Sequence, residues 1–283
     1  MVLRPGMRGD EVAEAQRLLN ESELACGLVC DGIFGAKTEA AVLSFQVARG
    51  LYDDGIIGSR TWAELRRGHE SLLLPWVRVS ADQYADGYSS FQLREDVAEE
   101  YMLVRDACQE AGALITSSGS KRSLMAKVGS NRSATSLHYV GRALDLFVYS
   151  AMVDPQTDPY VCVADVTADR YWTVWARCRG GEKKVLDGYV YKGRTTKTVR
   201  GKFINLTELF AKHGFERIRA RRSFFSNPAN NGGAEWWHFQ YEGGLVPNTT
   251  SFGDELLKMY EISQVVDTPP WKEAGRVWGV NWY

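Results

Sequence analysis

The stretch SLHYVGRALD at residues 136–145 holds an imidazole, His138, and a carboxylate, Asp145, seven positions apart, with Gly141 as a bend between them. The residues after Gly141 alternate in character, which predicts a short strand with Ala143 and Asp145 on one face. Imidazole and carboxylate are both zinc ligands, and a catalytic zinc site typically takes three protein ligands and one water. The stretch therefore predicts two of the three ligands of a metal site.

A second segment, EWWH at residues 235–238, supplies another imidazole, His238, and a carboxylate, Glu235, three residues before it. Its aromatic content predicts a strand. A spacing of three puts the two side chains on opposite faces of an ideal strand, so either a bulge separates them or Glu235 lies in the loop before the strand. Two His, one Asp and a Glu that does not bind the metal are the groups needed for a metal-activated water to attack a carbonyl.

The composition is that of an ordinary globular protein long enough for two domains. The 283 residues are 45% hydrophobic and 24% charged, with a net charge of -1. The near-zero charge gives no general attraction to nucleic acid or to an anionic membrane. No apolar run is long enough for a transmembrane helix, and no secretory signal is visible at the N-terminus, so we expect a trimmed signal or another export route.

Five cysteines are an odd number, so at least one has no partner within the chain. Cys26 and Cys30 form either a bridge or two small core residues, and Cys162 and Cys178 are a second candidate pair. The other interpretation for all of them is a buried thiol.

An internal repeat organises residues 1–68. The sequence DGIFGAKT at 31–38 recurs 23 residues later as DGIIGSRT at 54–61. Each copy predicts a glycine turn, a threonine at the helix N-cap (Thr38 and Thr61), and a short apolar helix. A leading helix begins at Asp10. The region is therefore predicted to be a small three-helix bundle.

This repeat resembles the peptidoglycan-binding domain of cell-wall hydrolases, and the resemblance covers nearly all of residues 1–68. It extends from the Gly9-Asp10 pair through Gln16, Asp31-Gly32 and Phe45-Gln46 to Thr61-Trp62. The segment contains no nucleophile, base or metal cluster of its own. The resemblance implies a targeting module that binds peptidoglycan.

The rest of the chain is predicted as a linker, 69–75, and an α+β domain, 76–283, with a central antiparallel sheet. Helices are expected over 93–111 and 206–213. Residues 151–203 are predicted to be a basic, β-rich insertion with strands at 160–163, 171–175 and 189–191 and a glycine turn at 180–181. Its basic side chains indicate a solvated hairpin face or a wall that contacts substrate or anionic polymer. The arginines within 217–222 are expected on a solvated edge.

Taken together, the two motifs resemble the zinc D-Ala-D-Ala carboxypeptidase and dipeptidase family, which includes vancomycin-resistance peptidases and phage L-Ala-D-Glu endolysins. The resemblance implies that zinc is held by His138, Asp145 and His238 and that Glu235 is the catalytic base. The family's substrate-anchoring arginine lies in a Ser-Gly-x-Arg-like stretch. SGSKR at 118–122 matches that stretch with one extra residue, which favours Arg122 over its competitor Arg132. Ser136 and Trp237 are expected to contact substrate.

The expected function is zinc-dependent hydrolysis of peptidoglycan stem peptides, with a D-Ala-D-Ala carboxypeptidase preferred. The alternatives are an L-Ala-D-Glu or cross-link endopeptidase of the phage endolysin type, and a non-catalytic wall-binding protein that contains zinc. We expect a monomer, no nucleic-acid partner and no membrane span. The expected location is the cell wall, the periplasm or the extracellular space, including release of a phage lysin through a pore.

Overall fold

The computed structural model describes residues 2–67, 73–129, 133–227, 229–266 and 275–279. The chain is α+β, as predicted, and divides into two compact units. The first unit comprises Met1–Leu74, Ser123–Ser136 and Leu245–Tyr283, and the second comprises Pro75–Arg122 and Leu137–Gly244. The first unit thus includes two segments that the predicted boundary at residue 76 assigns to the second domain. The predicted linker falls partly outside the described residues, at 69–72.

The helices in chain order are α1 Asp10–Glu21, α2 Ala36–Ala48, α3 Ser59–Leu65, α4 Glu95–Ala111, α5 Leu206–Lys212, α6 Arg222–Ser226, α7 Phe252–Leu257, α8 Ile262–Val266 and α9 Gly275–Trp278. Short 3-10 turns cover Leu137–Val140 and Asn231–Gly233. Among the described residues, no helix is both long and apolar enough to cross a membrane. The predicted helices at 93–111 and 206–213 are confirmed as α4 and α5, and Gly112 ends α4 in the left-handed conformation at φ 71°.

The strands are β1 Trp76–Ser80, β2 Ser90–Arg94, β3 Ala143–Asp145, β4 Tyr160–Ala164, β5 Trp172–Val190, β6 Thr195–Asn205, β7 Phe215–Arg217 and β8 His238–Tyr241. They form three sheets with the orders β1-β2, β3-β8-β7 and β4-β5-β6. Every pairing is antiparallel, as the sequence predicted. The described strands are divided among these sheets instead of forming one central sheet.

Two buried glutamines explain the internal repeat of the first unit. The Gln16 amide donates to Asp31 Oδ1 and Thr38 Oγ1, both at 3.0 Å, and its carbonyl oxygen accepts from Gly32 N. Gln46 makes the same three contacts in the second copy, with Asp54, Thr61 and Gly55. From inside the core, each glutamine side chain thus forms hydrogen bonds with the polar groups of one glycine turn.

The predicted N-cap role of Thr38 and Thr61 is wrong. The N-caps of α2 and α3 are Gly35 and Gly58, and both threonines lie in the first turn of their helices. Their hydroxyls accept hydrogen bonds from the buried glutamines, so the two threonines bind core side chains instead of capping their helices. The three predicted helices are present, but the unit is not strictly a three-helix bundle because α7 also packs against α3.

The predicted glycine turn at 180–181 is also wrong. β5 runs without interruption from Trp172 to Val190 and absorbs the glycines in an irregularity between Arg177 and Glu182. A Cβ at Gly181 would collide with the Phe203 carbonyl and the Cys178 sulfur, so the glycine permits close strand contact. The hairpin turns at 191–194, where Gly193 has φ 80°. The predicted strand at 189–191 is the end of β5.

The main core of the second unit lies between α4 and the sheets. Val97, Tyr101, Val104 and Cys108 form the buried face of α4, as the helical spacing predicted. All five cysteines are free, so neither candidate disulfide is present. Burial raises the pKa of the Cys108 thiol to about 12, so this thiol is an inert core group.

Candidate metal centre

Gly141 directs the chain from the 3-10 turn that carries His138 into strand β3. Its φ is 69°, and a Cβ there would lie 2.6 Å from the Arg94 amide nitrogen and 2.9 Å from the Trp76 ring. Only glycine fits both the backbone angle and the close approach. β3 then pairs with β8 so that Asp145 lies directly opposite His238. The bend and the strand register together bring the two sequence motifs into one place.

Three ligand atoms converge between these elements. His138 Nε2 lies 3.2 Å from His238 Nδ1 and 3.3 Å from Asp145 Oδ2, and His238 Nδ1 lies 3.0 Å from Asp145 Oδ1. Zinc–ligand bonds of 2.0–2.1 Å in a tetrahedron separate neighbouring ligand atoms by about 3.3 Å. The three side chains therefore have the types and spacing of a zinc site, and they form a recognisable metal-binding group.

The hydrogen bonds of the two imidazoles fix which nitrogen faces the site. His138 Nδ1 lies 2.7 Å from the Ser120 carbonyl, and His238 Nε2 lies 3.3 Å from Gln240 Oε1. Because both acceptors take an N–H, His138 Nε2 and His238 Nδ1 are the nitrogens left to bind a metal beside Asp145. Gln240 is itself held, because its amide donates to Glu242 Oε1 at 2.5 Å. Such outer contacts orient metal-binding histidines in known sites.

Sequence reasoning missed Gln240 and Glu242. The sequence did contain a signal for them. Every second residue of a strand lies on the same face, and His238, Gln240 and Glu242 are spaced two residues apart. The Ser120 carbonyl had no signal, because a backbone acceptor leaves no trace in the residue type.

The electrostatics of the cluster favour an ionised carboxylate. Burial opposes ionisation of Asp145, but its contacts with His138 and His238 outweigh burial and hold its pKa well below the ordinary value. Burial likewise opposes charge on His238, yet the hydrogen bond and charge of Asp145, with a further contribution from Glu235, raise the His238 pKa. The carboxylate is thus ionised between two imidazoles, and a bound cation would take the place of the proton that Asp145 stabilises on His238.

Glu235 lies in the loop before β8, which is the second of the two predicted arrangements. Its backbone adopts φ 54°, an uncommon conformation for a residue with a side chain. The side chain is largely buried and accepts a hydrogen bond from Arg221 Nε at 2.6 Å. Its carbonyl accepts from the His238 amide at 3.2 Å. A strained, ion-paired carboxylate beside a ligand group is typical of a functional site.

The arginine-containing loop is not a solvated edge as expected. Arg221 pairs with Glu235, and Arg217 pairs with Asp165. Arg217 and Arg219 also lie over the Tyr171 ring, at 5.0 and 5.6 Å from its centroid. These side chains connect separate segments of the second unit.

The predicted SGSKR stretch runs along β3, on the edge opposite β8. Ser118 N donates to the Asp145 carbonyl at 2.8 Å, and Asp145 N donates to the Gly119 carbonyl at 3.0 Å. Arg122 N donates to the His138 carbonyl at 3.2 Å, and its guanidinium lies 5.3 Å from the Tyr139 ring centroid. The stretch therefore contacts both ligand-bearing segments. Its competitor, Arg132, lies outside the described residues.

The structure gives less direct support to the predicted substrate contacts of Ser136 and Trp237. Ser136 precedes the 3-10 turn of His138 but is grouped with the first unit, and its contact with substrate stays a prediction. Trp237 is only 8% exposed and packs edge-to-face against Trp236 in the main core. Its carbonyl accepts from Leu146 N at 2.9 Å. Most of the Trp237 ring thus serves packing next to the ligand strand.

Comparison with known proteins finds a family-model match within the first unit and two similar solved structures. Residues 8–65 match the family model "Putative peptidoglycan binding domain". A solved peptidoglycan-binding protein from Clostridioides difficile, in complex with glutamine hydroxamate, is 46% identical over 24% of this chain and 41% of its own, with a TM-score of 0.23. The Burkholderia AP3 phage endolysin is 27% identical over 40% of this chain and 39% of its own, also with a TM-score of 0.23.

The chain spans about two fifths of the length of each of these solved structures. TM-scores of this size support no argument about the fold of the second unit. No curated protein matches the chain.

Proposed function

We propose that the protein is a zinc-dependent peptidase that hydrolyses the stem peptides of peptidoglycan. The observation that carries the chemical half is the convergence of three potential ligand atoms, from His138, Asp145 and His238, at the spacing of a zinc tetrahedron. The observation that carries the substrate half is the match of residues 8–65 to a peptidoglycan-binding domain. Peptidoglycan is then the partner, and the cell wall or the extracellular space is the location.

Zinc, when bound, supplies Lewis-acid chemistry and makes water acidic enough to lose a proton near neutral pH. Glu235 takes a proton from the attacking water and returns it to the leaving amine as a general base and acid. Arg221 holds one oxygen of that carboxylate at 2.6 Å, which restricts the direction from which the other oxygen can act. The uncommon backbone angle of Glu235 further restricts the direction of its side chain.

Arg122 is the proposed anchor for a substrate carboxylate, because a guanidinium binds a carboxylate through two parallel hydrogen bonds. Its backbone is tied to His138, so the anchor and the metal ligands belong to one framework. An anchor for a terminal carboxylate favours removal of the last D-Ala, and a D-Ala-D-Ala carboxypeptidase is the preferred form of the proposal. Ser136 and Trp237 are proposed to line the substrate path.

The proposal is tested by Glu235→Ala, with zinc content and turnover measured on the same preparation. We expect the variant to retain zinc and to lose about 10²–10⁴-fold of its rate on stem peptides, as expected for loss of a general base. Glu216→Ala, a change of an exposed glutamate on β7, is the matched control and should keep both properties. Undiminished turnover in Glu235→Ala would remove Glu235 from the mechanism.

A further inference from the structure

The second unit also contains a concave site next to the loop that carries Glu235. It is a cavity of about 390 Å³, within the range of small-molecule sites. The side chains that line it come from the segment that joins β4 to β5, from the start of β5 and from α6: Asp165, Asp169, Arg170, Tyr171, Trp172, Arg222 and Phe225. None of these residues takes part in the metal centre.

The cavity has an aromatic wall. The rings of Trp172 and Phe225 lie nearly parallel, with 19° between their planes and 6.3 Å between their centroids. Phe225 is 52% exposed, whereas its neighbour Phe224 is fully buried and packs edge-on against Trp172. Because Phe224 already fills the core position, the exposed Phe225 ring is not needed for packing. Exposed aromatic rings in a cavity are typical of ligand sites.

Both carboxylates of the cavity are paired. Asp169 pairs with Arg170 at 3.0 Å, and Asp165 pairs with Arg217 and accepts hydrogen bonds from Thr167. Arg222 also lines the cavity, so a cationic ligand would gain little there. The lining offers charged donors and acceptors beside an apolar ring face. This combination suits a ligand that has hydroxyl groups and one apolar face, which describes a sugar ring.

The cavity is physically connected to the catalytic loop. Trp172 Nε1 donates to the Ala234 carbonyl at 2.8 Å, and Ala234 immediately precedes Glu235. Arg170 Nη1 donates to the Ala220 carbonyl at 2.9 Å, and the Ala220 amide donates back to Arg170 at 2.8 Å. Ala220 immediately precedes Arg221. The same residues that line the cavity therefore support both members of the Arg221–Glu235 pair.

We propose that this cavity is a saccharide subsite that takes one sugar ring. The identity of that sugar, a unit of the peptidoglycan glycan strand, rests on the proposed function. In that setting the enzyme acts on stem peptides still attached to glycan, with the sugar held behind the Glu235 loop.

The test is a titration of the full chain, labelled with 5-fluorotryptophan, with the trimer of N-acetylglucosamine. The protein carries Glu235→Ala and no metal, so turnover does not enter the result. The Trp172 resonance is assigned by its loss in Trp172→Phe. Reading this one resonance separates the cavity from sugar binding elsewhere in the chain, including residues 8–65.

We expect the trimer to shift the Trp172 resonance saturably and Phe225→Ala to weaken that binding at least about fivefold, because the stacking ring is removed. Val185→Ala, a change of a 61% exposed apolar residue on β5, is the control and should leave the affinity unchanged. Equal affinity in Phe225→Ala, or no shift of Trp172, would overturn the proposal. A shift caused by a sugar-free stem peptide but not by the trimer would reassign the cavity to peptide. An enzyme without turnover would contradict the proposed function and leave this result unaffected.

Discussion

Gln240 determines how His238 faces the candidate metal. Its side-chain oxygen accepts from His238 Nε2, so Nδ1, which lies 3.0 Å from Asp145 Oδ1, is the nitrogen left to bind the metal. We expect Gln240→Ala to weaken zinc binding about 10–100-fold, the usual effect of removing an outer partner of a histidine ligand. Competition with a zinc-sensitive dye measures the affinity. Gln156→Ala, at an exposed position, is the matched control, and an unchanged affinity in Gln240→Ala would show that Gln240 does not orient the ligand.

At the residue scale, the sequence was sufficient to select His138, Asp145 and His238, which the fold brings together, because side-chain type and spacing carry their chemistry. The catalytic role of Glu235 stays a prediction. It could not indicate the Arg221–Glu235 pair, which joins residues fourteen positions apart through the fold of a loop. A run of arginines has the same appearance in sequence whether it is solvated or paired.

At the element scale, Gly141 is the position where backbone geometry limits the site. We expect Gly141→Ala to destabilise the second unit by about 2 kcal/mol or more, because a Cβ meets Arg94 and the backbone angle disfavours alanine. Thermal unfolding measures the loss. Gly35→Ala is the control, since a Cβ there contacts nothing within 4 Å and its φ is negative. Equal melting temperatures of the two variants would contradict this account of the bend.

The contact between Asp165 and Arg217 should make stability depend on pH. Hydrogen bonds from Thr167, and then the Arg217 guanidinium, lower the pKa of Asp165 to about 2 from 3.8. Because the folded pKa lies below the unfolded one, this stabilisation is present in full above about pH 4 and disappears as the pH falls toward 2. Asp165→Asn should therefore lower the free energy of unfolding at pH 7 by on the order of 1 kcal/mol, which a lower melting temperature would reveal.

The difference between Asp165→Asn and the wild type should shrink steadily between pH 4 and pH 2. Asp53→Asn, at an exposed position of the first unit, should show no such trend. A difference that stays constant over this range would contradict the assigned role of the pair.

Helices and strands with a regular spacing of apolar residues were predictable from the sequence, whereas the turns that connect them were not. The apolar spacing of α4 gave both the helix and its buried face. The β5–β6 hairpin was misplaced because Gly180-Gly181 has the composition of a turn, whereas in the fold these glycines allow Phe203 and Cys178 to approach closely. Only the partner strand distinguishes the two uses of a glycine pair.

At the scale of the whole molecule, the chain combines a unit that matches a peptidoglycan-binding domain over residues 8–65 with a unit that brings together three side chains able to hold a metal ion. The α+β class followed from the sequence. The grouping of 123–136 and 245–283 with the first unit did not, because contacts between distant segments have no local signal. The C-terminal residues Trp271, Trp282 and Tyr283 lie outside the described residues.

The most direct test of the central claim is mass spectrometry of defined muropeptides incubated with the protein, with and without a zinc chelator. We predict loss of a terminal D-Ala that the chelator abolishes and added zinc restores, with Glu235→Ala inactive throughout. Cleavage after L-Ala or at a cross-link would keep the zinc peptidase and change the bond. The absence of chelator-sensitive cleavage in any stem peptide would contradict the account and favour a wall-binding protein without catalysis.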